Sequence, residues 1–249
     1  MFRIFLLISF LLFQVENAMA QFKKFNESFL EIDAATAPYK RCIIEVNAVQ
    51  GFLADTGNAK FTKYPGYFLI YNWFHYYPTQ SIRLTAGFYY GRNFEVEEIG
   101  QPWMNEYRFL PMAVYNVPSR RLFLSHRIAM DFRWLVYENK TDYKTRVRYR
   151  FKALVPLNKG DLVKGTLFAV GMEEIFFSEV RNTGQTQLFE QNRITLNMGY
   201  CFSDNIQWET GITMALQPYW GTGEYWWTNI YFTQVTINNV FAEHIKKRK

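Results

Sequence analysis

The chain has 249 residues, enough for one large domain with a substantial core, and a formal net charge of +6. Four of those charges are Lys246, Lys247, Arg248 and Lys249, so the remainder is nearly balanced, which argues against a nucleic-acid partner. Aromatic residues make up 19%, yet no apolar run after residue 20 is long enough for a membrane helix, so any membrane-facing surface must come from strands.

Residues 1–20 read as a secretory signal. Arg3 is the positive start, Ile4 to Phe13 the apolar core, and Ala18-Met19-Ala20 the small-residue cleavage site. Residues 21–40 are weakly patterned and read as an N-terminal entry segment or one short strand. A train of β-patterned segments follows at 41–54, 64–77, 81–92, 103–116, 120–136, 143–157, 162–177, 188–202, 205–217 and 225–241. Residues 242–249 form a basic, solvated tail.

The connections tend to alternate in length. Pro78-Thr79-Gln80, Val117-Pro118-Ser119, Asn158-Lys159-Gly160-Asp161 and Ser203-Asp204-Asn205 are short, whereas 55–63, 93–102 and 178–187 are longer. Outer-membrane barrels alternate in this way, with an even strand number and both termini on the periplasmic side. The fold expected is therefore all-β: a transmembrane, antiparallel, up-and-down barrel over 41–241. It has about ten strands, with twelve as the alternative. Trp73, Tyr76 and Tyr77 gather at one set of segment ends. Trp103, Trp134, Tyr137, Trp220, Trp226 and Trp227 gather at the other, as interfacial girdles do.

The segment Tyr143 to Val155 carries the strongest pattern. Lys144, Arg146, Arg148, Arg150 and Lys152 fall on every second residue, with Thr145, Val147, Tyr149, Phe151 and Ala153 between them. A strand sends alternate side chains to opposite faces, so one face is cationic and the other mostly apolar. Strand parity brings Glu106, Arg108, Asp131, Arg133 and Arg193 to the same interior as Arg146, Arg148 and Arg150. If Asn158–Asp161 is a tight hairpin, Glu173 lies opposite Arg146. Parity also places Glu45, Asn47, Arg83, Arg127, Gln207 and Glu209 inside, Cys201 inside and Cys42 outside. Charges in a narrow interior need partners, so a salt-bridge lattice is expected, or a selective path for an anion.

Catalytic signatures are weak. Ser125 and His126 are adjacent, so they point to opposite faces. The sequence holds no Cys/His metal spacing and no phosphate-cradling glycine loop, so no catalytic set, metal or cofactor is assigned.

Glu173-Glu174-Ile175-Phe176-Phe177, Phe189-Glu190-Gln191-Asn192-Arg193, Gly199-Tyr200 and Arg148-Tyr149-Arg150 resemble the domain-of-unknown-function family 2490. The resemblance covers about residues 40 to 240. It implies a bacterial outer-membrane β-barrel and carries no established activity. The reading that follows is an exported, monomeric, porin-like barrel of a Gram-negative outer membrane. Its partners are outer-membrane lipid and the barrel-assembly machinery, and its role is structural or that of a narrow channel. The alternatives are an outer-membrane hydrolase of lipid or peptide, and an exported soluble barrel that binds an apolar ligand.

Overall fold

The computed structural model describes residues 22–54, 63–119, 121–182, 185–219 and 224–240. The predicted signal, Trp220 and the basic tail lie outside them. Eleven strands form one closed barrel: β1 (Phe22–Tyr39), β2 (Cys42–Leu53), β3 (Tyr64–Tyr76), β4 (Ile82–Asn93), β5 (Met104–Val117), β6 (Phe123–Val136), β7 (Thr141–Pro156), β8 (Leu167–Asn182), β9 (Gln185–Cys201), β10 (Ile206–Tyr219) and β11 (Glu224–Ile237). A single 3₁₀ turn, Glu97–Ile99, sits in the β4–β5 connection. Every expected segment is a strand, and the all-β barrel holds. The eleventh strand is Phe22–Tyr39, eighteen residues long.

Neighbouring strands pair antiparallel around the ring except at the seam, where β1 runs parallel to β11 from Phe22↔Tyr225 to Ala34↔Ile237. The expected even strand number is therefore not met. Phe22 and Val240 lie at opposite rims, because a parallel closure of an odd ring must separate them. The Phe22 rim carries the connections after β2, β4, β6, β8 and β10. The opposite rim carries those after β1, β3, β5, β7 and β9.

Two connections reverse their expected lengths. Residues 178–187 are not a long loop: Val180↔Gln187 and Asn182↔Gln185 continue the β8–β9 ladder. The β7–β8 connection is not a four-residue turn at Asn158–Asp161 but runs from Leu157 to Thr166. The Asn158 side chain ties it together, donating from Nδ2 to the Gly165 carbonyl at 2.9 Å and accepting from Leu167 N–H at 2.8 Å. The reversal of the chain is completed by Gly165, at φ +82°, a conformation glycine adopts without penalty.

Alternation then sorts each strand. Leu30, Ile32, Val46, Phe74, Leu84, Phe88, Ile128, Met130, Val147 and Leu196 are exposed on the outer face. Tyr76 and Tyr115 lie on that face toward one rim, and Tyr107, Trp134 and Tyr143 toward the other. Trp73 is not part of the outer girdle. It points inward and stacks on Tyr71, with centroids 5.3 Å apart. Inward rings find room because glycines face them on adjacent strands. A Cβ at Gly51 would strike the Tyr67 ring, and one at Gly87 the Trp73 ring. Cys201 is buried, Cys42 is half-buried, and both are free thiols.

Candidate functional site: the charged lumen

The cationic strand is β7. Arg146, Arg148, Arg150 and Lys152 face inward, whereas Val147 and Tyr149 are exposed outside. Asp131 on β6 is opposite Arg146 in the ladder and fully buried. Its Oδ2 accepts from Arg146 Nε at 2.9 Å and Nη2 at 2.7 Å. Its Oδ1 lies 3.0 Å from Arg148 Nη2. One carboxylate thus faces two guanidiniums of the same strand.

The pairing continues in both directions. Arg146 reaches Glu190 at 3.0 Å, and Glu190 lies 3.5 Å from Arg133. Arg133 and Arg108 both bind Glu106, Arg108 through a fork at 2.7 and 2.6 Å. On the other side Arg148 lies 3.7 Å from Glu174, which Arg127 also binds. The result is an unbroken chain of side chains from β5 to β9: Arg108, Glu106, Arg133, Glu190, Arg146, Asp131, Arg148, Glu174 and Arg127. Phe176, fully buried, packs beneath it. The guanidinium carbons of Arg146, Arg193 and Arg148 stand 4.8, 4.9 and 5.7 Å from its ring centroid. Ring faces attract cations, and in a dry site that attraction strengthens.

Of the nine residues expected in the lumenal cluster, Arg146, Arg148, Asp131, Arg133, Glu106 and Arg108 belong to this lattice. Arg193 joins its edge through Phe176 and donates to Gln191 Oε1 at 2.8 Å. Arg150 faces the lumen, but no hydrogen bond or ion pair to a described residue reaches it. Glu173 is the correction. It is exposed on the outer face, where Asn192 donates to it at 3.2 Å. The longer β7–β8 connection pairs Arg150 with Glu174 and Phe151 with Glu173, an odd-numbered slip from the tight-turn register, and an odd slip exchanges the faces. Glu174 takes the place assigned to Glu173. The two positions should therefore respond differently. Glu173→Gln is expected to change stability by no more than about 0.5 kcal/mol, and Glu174→Gln to lower it by about 3–5 kcal/mol. Denaturant unfolding of the two variants in detergent checks this; equal responses would contradict the faces.

Glu190 was beyond sequence reasoning for a different reason. Phe176 pairs with Gln191 and Phe177 with Phe189, which leaves Glu190 as the extra residue of a bulge. The bulge lets both Glu190 and Gln191 reach inward contacts. Of the other residues that parity placed inside, Glu45, Asn47, Arg83, Arg127 and Glu209 line an interior cavity. Ser125 pairs with Lys152 in the ladder and His126 with Phe151, on opposite faces. His126 Nδ1 lies 2.7 Å from the Tyr149 hydroxyl.

The lattice lines the lumen without filling it. A cavity of about 750 Å³ opens at the Phe22 rim between Phe25, Asn93 and Trp226. It shares Glu27 and Arg193 with a middle cavity of about 540 Å³. The middle cavity in turn shares Glu31, Arg127 and Arg150 with one of about 340 Å³ in the opposite half. Walls so rich in charge do not suit an apolar ligand. Among the described residues no group of three or more His, Cys, Asp or Glu has the geometry of a metal site.

A family model described as "Protein of unknown function (DUF2490)" matches residues 53–225, which include β3 to β10 and the whole lattice. No curated protein matches the chain.

Proposed function

We propose that this chain, which belongs to the DUF2490 family of proteins of unknown function, is an outer-membrane β-barrel enclosing a narrow, charge-lined path for small solutes. One observation carries the reading: the polarity of a soluble domain is inverted. Leu30, Ile32, Phe74, Ile128 and Leu196 are exposed on the outer wall, while Asp131, Arg146 and Glu174 are buried within. An apolar surface that encircles a closed sheet is costly in water and matches the hydrocarbon of a bilayer. Tyr and Trp near both rims suit the two interfaces. The strands, of twelve residues or more, exceed the roughly 9–11 needed to span at a tilt.

Three successive cavities along the barrel, each sharing lining residues with the next, favour a path over a solid plug, and the lattice along their wall makes that path narrow. Export through a cleaved signal, insertion by the barrel-assembly machinery and a monomeric state in outer-membrane lipid belong to the same proposal.

Cell fractionation should recover the protein in outer membranes, with a gel mobility that changes on boiling. Planar bilayers should show small, discrete conductance steps. Recovery as a soluble periplasmic protein would remove the membrane reading. A membrane-inserted barrel without conductance would remove the path.

A further inference from the structure

The lumen has two electrostatic regimes. In the half toward the Phe22 rim, Arg108, Arg133 and Arg146 each meet a carboxylate. In the other half the charges are separated. Arg83, Arg150 and Lys152 line one side of the 340 Å³ cavity, and none makes a hydrogen bond or ion pair to a described residue. The Nε groups of Arg83 and Arg150 are buried without a partner. Across the cavity stand Asp33, Glu45 and Glu209. Glu31 stands beside Asp33, and the Asn47 amide donates to both. Asp33 also accepts from Gln234 and Thr236, Glu209 accepts from Asn197, and Glu45 lies 3.2 Å from His75. Asn47 is 7% exposed, and its carbonyl oxygen also lacks a partner.

The topology holds the two sets apart. β1, β2 and β10 carry the acids, β4 carries Arg83 and β7 carries Arg150 and Lys152, so at least one strand separates every acid from every cation. Asp33 is buried and the other five are half-buried. Arg83 and Glu45, like Lys152 and Glu209, attract each other only across a gap, with no ion pair between them among the described residues, so each charge is imperfectly compensated. A molecule with a carboxylate at one end and an ammonium at the other would satisfy both walls at once. The cavity lies within the range of small-molecule sites, roughly 300–1,000 Å³.

We infer that this half of the lumen is a binding site for zwitterions of the amino-acid or short-peptide class. The carboxylate faces Arg83, Arg150 and Lys152, and the ammonium faces Asp33, Glu45 and Glu209. The inference deepens the proposed function by naming the solute, and needs only that this half of the lumen be open to it. A simple anion would leave the acidic wall unanswered, and a simple cation the basic wall.

Isothermal titration of the purified chain in detergent tests it with three probes of nearly equal size. They are alanyl-alanine, its N-acetyl derivative and its C-terminal amide. The zwitterion should bind about tenfold more tightly than either derivative, the order of one charge-assisted hydrogen bond. Arg150→Gln combined with Lys152→Gln should reduce alanyl-alanine to the affinity of its amide. Glu209→Gln should shift it toward that of the acetylated peptide. Equal binding of the acetylated peptide and the zwitterion would overturn the inference in favour of an anion site. Absence of binding by all three probes to the folded, heat-modifiable barrel would overturn it outright. Because binding is read in detergent, its failure is distinct from failure of the path: intact binding without conductance in bilayers would discard the path and keep the site.

Discussion

Asp131→Asn is expected to lower the unfolding free energy of the barrel by about 3–5 kcal/mol, the range found when one partner of a buried ion pair is removed. The side chain keeps its shape, so packing is not the cause. The loss is electrostatic: Asp131 is fully buried and is in contact with both Arg146 and Arg148. Asparagine leaves two guanidiniums close together, and Glu190 and Glu174 are left to compensate at 3.0 and 3.7 Å. Adding Arg148→Met should recover part of the loss, because it removes one of the orphaned charges. The double-mutant coupling then measures the pair. Urea unfolding in detergent, followed by tryptophan fluorescence, gives both quantities. If water fills the lumen around Asp131, the cost falls toward the ~0–1 kcal/mol of exposed pairs, and additivity replaces coupling.

Phe176→Ala should be comparably damaging, by about 3–5 kcal/mol, through a different term. The ring is fully buried on the inward face of β8, beneath Arg146, Arg148 and Arg193. Truncation opens a void and removes the aromatic face against which the cations rest. Phe176→Leu separates the two contributions. Leucine restores most of the volume, so what remains of the loss reports the cation–ring attraction, about 0.5–2 kcal/mol per contact. Equal stability of the leucine variant and the parent would show that the arginines are held by their carboxylates alone. A loss in the leucine variant that vanishes in the Arg193→Met background would assign the attraction to Arg193, which unlike Arg146 and Arg148 makes no ion pair to a described residue.

What was legible in the sequence follows from the range of the physics involved. The period of two along Lys144–Lys152 is a local property. It assigned Arg146, Arg148 and Arg150 to one face, and the same alternation placed Glu106, Asp131, Arg133 and Arg193 inward without knowledge of any neighbour. The β-character of all ten segments and the separation of Ser125 from His126 are equally local.

Three features depended on contacts between segments. The register of β7 on β8 was decided by where the chain reverses, at Gly165 with Asn158 bridging the loop. This gave the lattice Glu174 and put Glu173 outside. The bulge at Glu190 was decided by how β9 fits β8, since nothing in Phe189-Glu190-Gln191 marks an extra residue. The eleventh strand was decided by barrel closure. Residues 22–39 are weakly patterned alone, and they become a strand by pairing with β2 on one edge and β11 on the other. That closure also brings Asp33 to the lumen, opposite cations some hundred residues away in the chain. Alternation along each strand settles which side chains share a face. Which charges meet and which remain apart depends on strand pairing, set by turn lengths and ring closure, and neither is encoded in that alternation.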